Sequence, residues 1–281
     1  MPRIAFVTDS TAFISEELRN HPDVIVVPII IISEGQEYKD GVELSSDQLY
    51  EIIRTDKKIP KTSQPSMGQF ADLYEMLKED YDQAIAIHIS NKLSGAVSSS
   101  NSGKDHAGFD VEVIDSLSIS YGMTILLEKG LKLAEQGGDA KTIADELRDD
   151  ISHLKNLVLL GSLEQLYKGG RMSGAQFLVG NILQIKPILN VNSEGELVLY
   201  ERIRSEKKAV SRVIELFKED CEKNSVQSAA IMHGNAPEKA EEIKSKIQAD
   251  YPNLDLTIGE ISSSVAVHVG EGTVALFWTT R

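Results

Sequence analysis

The sequence has few of the features that mark secreted or membrane-spanning proteins. Cys221 is the only cysteine among 281 residues, which excludes an internal disulfide and fits a reducing compartment. The most apolar run, Val24–Ile32, has nine residues and contains Pro28, whereas a helix needs about 20 to cross a bilayer. Thr8-Asp9-Ser10 interrupts the apolar start of the chain too early for the core of a signal peptide. We therefore expect a soluble, cytoplasmic protein without stable membrane insertion.

Positive charge is also scarce. Lys and Arg together number 29, whereas Asp and Glu number 43, so the formal net charge is −14. An acidic surface repels the phosphates of nucleic acids and the head groups of anionic lipids. The charge balance therefore disfavours a nucleic-acid partner and binding to a membrane surface.

Most common catalytic and cofactor motifs are missing. The P-loop pattern does not occur, and the first predicted strand is followed by Thr8-Asp9-Ser10-Thr11, without the glycines of a dinucleotide-binding turn. Gly270-Glu271-Gly272 precedes a predicted strand rather than a helix. The six histidines lack metal-ligand spacing, and Gly170-Arg171-Met172-Ser173-Gly174 lacks the spacing of a nucleophile elbow. We expect neither a metal ion nor a cofactor.

Short β-branched segments alternate with amphipathic ones along the whole chain, which predicts an α/β fold with parallel strands joined by helices. The pattern restarts near residue 156, so we predict two α/β domains, residues 1–156 and 157–281. The predicted strands are Ile4–Val7, Val24–Ile32, Ala84–Ile89, Val111–Asp115, Leu157–Leu160, Pro187–Val191, Leu197–Ile203, Ser228–His233, Leu254–Glu260 and Thr273–Thr279. The predicted helices include Ser46–Arg54, Ser66–Lys78, Ala140–Leu154, Ser205–Lys223 and Pro237–Ala249.

Hydroxyl side chains are concentrated where predicted strands lead into helices. Such turns meet at the carboxyl edge of an open parallel sheet, where ligands bind, and helix N-termini there offer free N–H groups to a carboxylate or phosphate. Thr62 lies four residues before the predicted helix cap Ser66, and Ser94 stands beside Gly95, which permits close approach of a ligand. Helix capping explains such hydroxyls equally well. Thr62 and Ser94 are therefore candidates for anion binding beside an ordinary structural role.

Three further residues are candidates by position alone. His268 ends the segment 262–267 and is followed by Gly270 and Gly272; a lone histidine is more often structural. Arg171 lies in a predicted turn, and Arg204 follows a predicted strand. In an acidic chain, such arginines are able to hold an anion or a protein partner.

Seven ordered segments, spread over essentially the whole chain, resemble the DegV family of bacterial fatty-acid-binding proteins. These segments are Thr62-Ser63-Gln64-Pro65-Ser66, Leu93-Ser94-Gly95, Asp115-Ser116, Lys168-Gly169-Gly170-Arg171-Met172-Ser173, Lys186-Pro187-Ile188-Leu189, Arg204 with Lys207-Lys208-Ala209, and His268-Val269-Gly270-Glu271-Gly272.

The resemblance implies two α/β domains with a ligand tunnel at their junction, and a protein that binds a long-chain fatty acid without being catalytic alone. A separate fatty-acid kinase then converts the bound carboxylate to an acyl phosphate for phospholipid synthesis. By the family pattern, Thr62 and Ser94 hydrogen-bond the carboxylate, His268 lies close by, and Arg171 and Arg204 contact the kinase or the head group.

The chain departs from the family pattern at two places. Glu271 stands where proline is common, which predicts a negative charge near the head-group site, and Ala96-Val97 stands where Thr-Tyr is common. Both departures bear on the tunnel shape and the acyl preference. Each methylene group removed from water contributes about 0.8 kcal/mol, which favours binding of a long acyl chain. Val24–Ile32 and Phe177–Ile188 are candidates for the walls of the tunnel, or they belong simply to the core.

Two alternative functions remain at this stage. The first is a hydrolase or transferase that acts on a small carboxylated or phosphorylated molecule, with Ser94 as nucleophile and His268 as base. The second is a regulatory ligand sensor, and its only support is the absence of catalytic motifs.

Overall fold

The computed structural model describes residues 2–55, 59–171 and 186–280 and arranges their strands in three sheets. The strands are β1 (Ile4–Asp9), β2 (Val24–Val27), β3 (Ile30–Ser33), β4 (Gln36–Lys39), β5 (Lys61–Ser63), β6 (Gln83–His88), β7 (Val111–Asp115), β8 (Leu154–Leu159), β9 (Lys186–Val191), β10 (Leu197–Ile203), β11 (Ser228–His233), β12 (Asp255–Glu260) and β13 (Val274–Thr279).

Helices join and cover these strands. The helices are α1 (Glu16–Asn20), α2 (Ser46–Thr55), α3 (Met67–Leu77), α4 (Ala96–Ala107), α5 (Tyr121–Glu135), α6 (Ala140–Asp150), α7 (Leu163–Gly169), α8 (Glu206–Lys223), α9 (Pro237–Gln248) and α10 (Ser263–Val269). Within the described ranges, no helix is both long and apolar enough to cross a membrane.

The first sheet has the order β2-β1-β6-β7, and all its strands are parallel. Its side chains alternate between two cores, as the period of a strand requires. Phe6 and Ile85 face α5 and α6, whereas Val7 and Ala86 face α3 and α4. The predicted α/β fold with an N-terminal parallel sheet and flanking helices is therefore confirmed.

The second sheet has the order β10-β9-β8-β13-β11-β12. Only β11 and β12 pair in parallel; the other neighbouring strands are antiparallel. Helices α8 and α9 cover one face, with Phe217 packed edge-on against Trp278. The opposite face packs against α7, α10 and Tyr121 of α5, which joins the two halves of the chain through an apolar interface.

The third sheet, β4-β3-β5, is small and antiparallel, and the sequence pattern did not reveal it. The prediction of one continuous strand over Val24–Ile32 was wrong. Pro28 separates β2 in the first sheet from β3 in the third, because proline has no N–H to donate to a ladder. Ile31 of β3 is fully buried against Leu49 and Tyr50 of α2.

Two other boundaries differ from the predictions. Helix α6 ends at Asp150 rather than Leu154, a 3-10 turn follows, and β8 begins at Leu154 rather than Leu157. The division into residues 1–156 and 157–281 stays a prediction. Helix α10 was not predicted, because its residues are buried almost all round and show no polar face.

The turn 192–195 connects β9 and β10, which were both predicted as strands, and packs against the end of β6. Asn192 Oδ1 accepts hydrogen bonds from the N–H groups of Glu194 and Glu196, which shapes the turn. Ser90 Oγ donates a 2.8 Å hydrogen bond to the Gly195 carbonyl. Gly195 has φ +79°, and a Cβ there would overlap Ser90 Oγ.

We expect Gly195→Ala to destabilise the protein by about 2–5 kcal/mol, because a left-handed backbone costs an L-residue about 1–2 kcal/mol and overpacking adds about 1–3 kcal/mol. Gly35→Ala is the matched control: its φ is +85° but nothing lies within 4 Å of the added Cβ. Urea unfolding should show a clearly larger loss for Gly195→Ala; equal losses would mean that the Ser90 contact contributes nothing.

Candidate functional site

Strand β5 and the last turn of α10 bring Thr62 and His268 together. Thr62 pairs with Ile31 in the three-stranded sheet, so it does not lie at the carboxyl edge of the parallel sheet as its position in the sequence suggested. Its Oγ1 lies 2.8 Å from His268 Nε2, across a separation of 206 residues. The pair joins the three-stranded sheet to the C-terminal half of the chain.

The imidazole of His268 is held in a neutral state by its surroundings. Its Nδ1 is buried and has no hydrogen-bond partner among the described residues. Gly169 lies directly against Nδ1, where any Cβ would overlap the ring. Burial, together with the smaller effect of the positive charge of Arg171, lowers the pKa of His268 from 6.5 to about 4. At neutral pH, His268 therefore acts as a hydrogen-bonding group rather than a cation.

Arg171 lies at the end of α7 and contacts the loop that carries Ser94. One guanidinium nitrogen donates to the Gly169 carbonyl at 2.6 Å, and Nε donates a long hydrogen bond of 3.5 Å to the Leu93 carbonyl. Its charge is thereby placed beside both His268 and Ser94.

Ser94 follows β6 and precedes α4, as the sequence predicted. Its Oγ accepts a 3.3 Å hydrogen bond from the Ala96 N–H, and its own N–H donates to the Ser90 carbonyl. The side chain of Gln64 lies against Gly95, which explains the small residue there. Ser94 is half-buried and borders the same cavity as Thr62.

Two adjoining spaces meet at these residues. The inner cavity has a volume of about 60 Å³ and lies between the two halves of the chain. Its apolar lining comprises Ile29, Ile89, Leu93, Ile119, Leu166, Leu197, Val265 and Val269. The outer cleft, of about 790 Å³, is open and polar, with Lys61, Glu164 and Lys168 among its walls. Thr62, Arg171 and His268 line both spaces, so they form the boundary between an apolar interior and a polar exterior.

The remaining candidates lie elsewhere. Arg204 is exposed after β10 and, in the part of the chain that the structure describes, lines neither space. Of the candidate walls, Ile29 does line the inner cavity. Residues 177–185 lie outside the described residues, and Ile188 belongs to the core beneath α8.

Glu271 does not bring a free negative charge to the site. Its carboxylate forms a bidentate ion pair with Arg54 and accepts a hydrogen bond from Asn235. The hydrogen bond from Arg54 holds the pKa of Glu271 below its usual value. The departure from the family pattern at this position is thus neutralised by a residue of α2.

The arrangement suits an anionic head group with an apolar tail. Neutral hydroxyls, a neutral imidazole and one arginine surround the boundary, while the interior is apolar. Ser94 and His268 do not form a nucleophile–base pair here, because His268 Nε2 contacts Thr62 instead. Among the described residues, no group of three or more His, Cys, Asp or Glu side chains is placed to hold a metal ion.

Sequence reasoning missed three polar or small contributors, Thr11, Gly169 and Ser264. Thr11 and Ser264 line the inner cavity, and Gly169 makes room for the His268 ring. The Gly169-Gly170 pair was a usable signal, because Gly170 alone suffices as the left-handed helix end. Ser264 carried no signal, because its helix was not predicted.

Fold and site together define an α/β protein whose two sheet-bearing halves enclose a small apolar cavity with a polar mouth. The sequence matches the family described as "uncharacterised protein, DegV family" over residues 3–281, and the chain belongs to the DegV family.

Relatives and solved structures agree over nearly the whole length. A DegV domain-containing protein of Halalkalibacterium halodurans is 36% identical over 284 residues, covering 99% of each chain. A structure described as a fatty acid binding DegV family protein from Streptococcus agalactiae superposes with a TM-score of 0.93 at 32% identity, covering 100% of both chains. DegV from Bacillus subtilis, described as a fatty acid binding protein, gives a TM-score of 0.91 at 31% identity, again covering 100% of both chains.

We expect Arg171→Gln to raise the pKa of His268 only part of the way from about 4 towards 6.5, because burial is the larger cause. The pKa is read from the imidazole signals in an NMR pH titration, with His268→Gln to assign them.

Since the neutral ring is the form favoured by folding, wild-type stability should fall as the pH is lowered from about 6.5 to about 4. A wild-type pKa near 6.5 would contradict the burial of the ring.

Proposed function

We propose that this protein binds a long-chain fatty acid with its carboxylate at Thr62 and Ser94 and presents it to a separate fatty-acid kinase. The observation that carries the proposal is that Thr62, Arg171 and His268 line both the apolar inner cavity and the polar outer cleft. A ligand that matches both spaces has an apolar tail and an anionic head. Two relatives with the same fold are described as fatty acid binding proteins.

A chain of hydrogen bonds, each with a defined donor and acceptor, would hold the carboxylate head group. If His268 Nε2 donates to Thr62 Oγ1, the Thr62 hydroxyl is free to donate its own proton to a carboxylate oxygen. Ser94 supplies a second hydroxyl, whose oxygen already accepts from the Ala96 N–H and whose proton is available. Arg171 balances the negative charge, which a buried carboxylate requires.

The tail supplies most of the binding free energy, at about 0.8 kcal/mol for each methylene removed from water. The inner cavity of about 60 Å³ holds only a few water molecules, so a long acyl chain enters only if lining side chains move apart. We propose that the aliphatic walls open on binding, and that tail length is limited by how far they part.

Access from the outer cleft suits a kinase that acts on the carboxylate while the tail stays buried. Phosphoryl transfer from ATP forms a bond between a carboxylate oxygen and the γ-phosphorus and breaks the bond from that phosphorus to the bridging oxygen of ADP, which leaves. The acyl phosphate stays bound noncovalently to this protein. The chain's own part is to orient the carboxylate and exclude water from the tail. The product then supplies acyl groups for phospholipid synthesis.

Mass spectrometry of an organic extract from the denatured protein tests the ligand class. The expected result is a fatty acid close to one equivalent per chain. An empty extract, together with no binding of added palmitate or oleate by the stripped protein, would overturn the proposed function. Covalent labelling of Ser94 by a fluorophosphonate would favour a hydrolase instead.

We expect Thr62→Val and Ser94→Ala each to weaken fatty-acid binding by about 10- to 100-fold, because a hydrogen bond to a charged group contributes about 1.5–3 kcal/mol. Ser63→Ala is the matched control, since the Ser63 hydroxyl bonds only its neighbouring backbone at 3.4 Å. Titration calorimetry with a fatty acid and with the alcohol of equal length separates head from tail: alcohol affinity should stay within about threefold. Equal losses for both ligands would argue against the carboxylate assignment.

We expect Arg204→Ala to leave fatty-acid affinity unchanged but to slow acyl-phosphate formation by about tenfold or more when a fatty-acid kinase and ATP are added, as loss of a charged contact at a protein interface would. Arg204 is exposed and separate from both spaces. Arg202→Ala is the matched control, because Arg202 is exposed near the end of β10, two residues before Arg204. An unchanged rate for Arg204→Ala would remove this residue from the partner surface.

A further inference from the structure

Gln165 carries a buried amide that the proposed carboxylate contacts do not use. It lies in the first turn of α7, where its N–H donates a 3.2 Å hydrogen bond to Ser162 Oγ. The residue is 6% exposed and lines the outer cleft. Its Nε2 is buried and has no hydrogen-bond partner among the described residues. Since an unpaired buried donor is costly, this wall of the cleft holds a donor in need of an acceptor.

The packing of α7 against the end of α10 places this amide beside the head-group site. Gly270 follows His268 by two residues and has φ +84°, and a Cβ there would overlap Gln165 Oε1. Close contact with the Gly270 backbone thus holds the Gln165 side chain near His268, which lines the same cleft. The unused donor therefore lies just outside the proposed carboxylate position.

The outer cleft is positively charged in an otherwise acidic protein. Among the described residues of its lining, Lys61, Lys168 and Arg171 stand against a single carboxylate, that of Glu164. Lys168 Nζ lies 2.6 Å from this carboxylate, and Lys61 is exposed. By contrast, the cleft of about 510 Å³ beside β2 and α2 has three carboxylates and one arginine in its lining. A positive cleft next to the carboxylate position attracts further negative charge.

A phosphoryl group attached to a bound carboxylate would have to lie in this cleft. The inner cavity of about 60 Å³ is lined mainly by aliphatic side chains, where an unpaired charge is unfavourable. The outer cleft of about 790 Å³ adjoins the same boundary residues, Thr62, Arg171 and His268. A phosphoryl group brings about two negative charges and three acceptor oxygens. These match an amide donor flanked by lysines.

We propose that Gln165, Lys61 and Lys168 form a phosphoryl-binding subsite in the outer cleft, which holds the head group of an acyl phosphate once it has formed. Its natural ligand rests on the proposed fatty-acid binding and presentation, whereas its capacity to bind a phosphate does not. Gln165 Nε2 donates to a phosphate oxygen, and the lysines balance the added charge. Glu164 competes for Lys168 and weakens the subsite. The acyl phosphate is therefore bound more tightly than the fatty acid from which it forms.

The experiment compares two ligands with the same tail, palmitate and the methylene phosphonate isostere of palmitoyl phosphate, in which a methylene replaces the bridging oxygen and prevents hydrolysis. Titration calorimetry on the stripped protein gives the ratio of the two affinities. Gln165→Met removes the amide at nearly constant length, and Lys61→Gln removes one charge. Lys39→Gln is the matched control for Lys61→Gln, since Lys39 is exposed on the same three-stranded sheet and lines neither space in the described part of the chain.

Gln165→Met is expected to weaken binding of the isostere about tenfold, because a hydrogen bond to a charged group is lost, while palmitate affinity stays within about threefold. Lys61→Gln should weaken isostere binding about threefold at low salt and less at high salt. Glu164→Gln should strengthen it about threefold, because Lys168 is released from its ion pair. Lys39→Gln should leave both affinities unchanged.

Equal effects on both ligands, or no effect of Gln165→Met and Lys61→Gln on the isostere, would overturn the subsite. If Gln165→Met does not fold, Lys61→Gln and Glu164→Gln change exposed side chains and decide the matter through their opposite expected signs. A wild-type protein that binds no palmitate would overturn the proposed function instead. Inorganic phosphate then tests the subsite alone: ³¹P line broadening by the wild type that is lost in Lys61→Gln supports it, and no broadening overturns it.

Discussion

The site depends on how helix α10 is held against the three-stranded sheet. This seven-residue helix is almost wholly buried, so its position is set by its neighbours rather than by its own helical propensity, which is weak for a short segment. Apolar packing of Ala266 and Val267 against Ile31 and α2 supplies the non-directional part of the contact. The hydrogen bond between Thr62 and His268 supplies the directional part. Without this contact, the Thr62 hydroxyl and the imidazole would not meet.

The interface between the two halves of the chain also encloses the inner cavity. The second sheet buries one face against α8 and α9 and the other against α7, α10 and Tyr121. Where the halves meet, aliphatic side chains enclose a small cavity instead of a fully packed core. Close packing elsewhere makes the interior rigid, so this junction is the place where the proposed apolar tail would enter with the least disturbance.

Few charged side chains lie at the boundary between the inner cavity and the outer cleft, although the protein as a whole is acidic. The site offers one arginine and a histidine whose pKa burial lowers to about 4, and Arg54 occupies the carboxylate of Glu271 nearby. Neutral donors suit the proposed binding and presentation of a carboxylate, because they orient an anion without the strong attraction of several cations. His268 contributes a directional hydrogen bond, and Arg171 contributes the positive charge.

Local pattern in the sequence determined much of the fold. Strands β6 to β13 and helix α8 were predicted close to their observed positions, and Ser66 was predicted as a helix cap, because periodicity and capping involve residues close in sequence. Ser94 and the family motifs were visible for the same reason. The split at Pro28, the three-stranded sheet and helix α10 were decided by tertiary structure. Thr62 meets His268 across 206 residues, and such a pairing follows from which surfaces pack together, which no local pattern specifies.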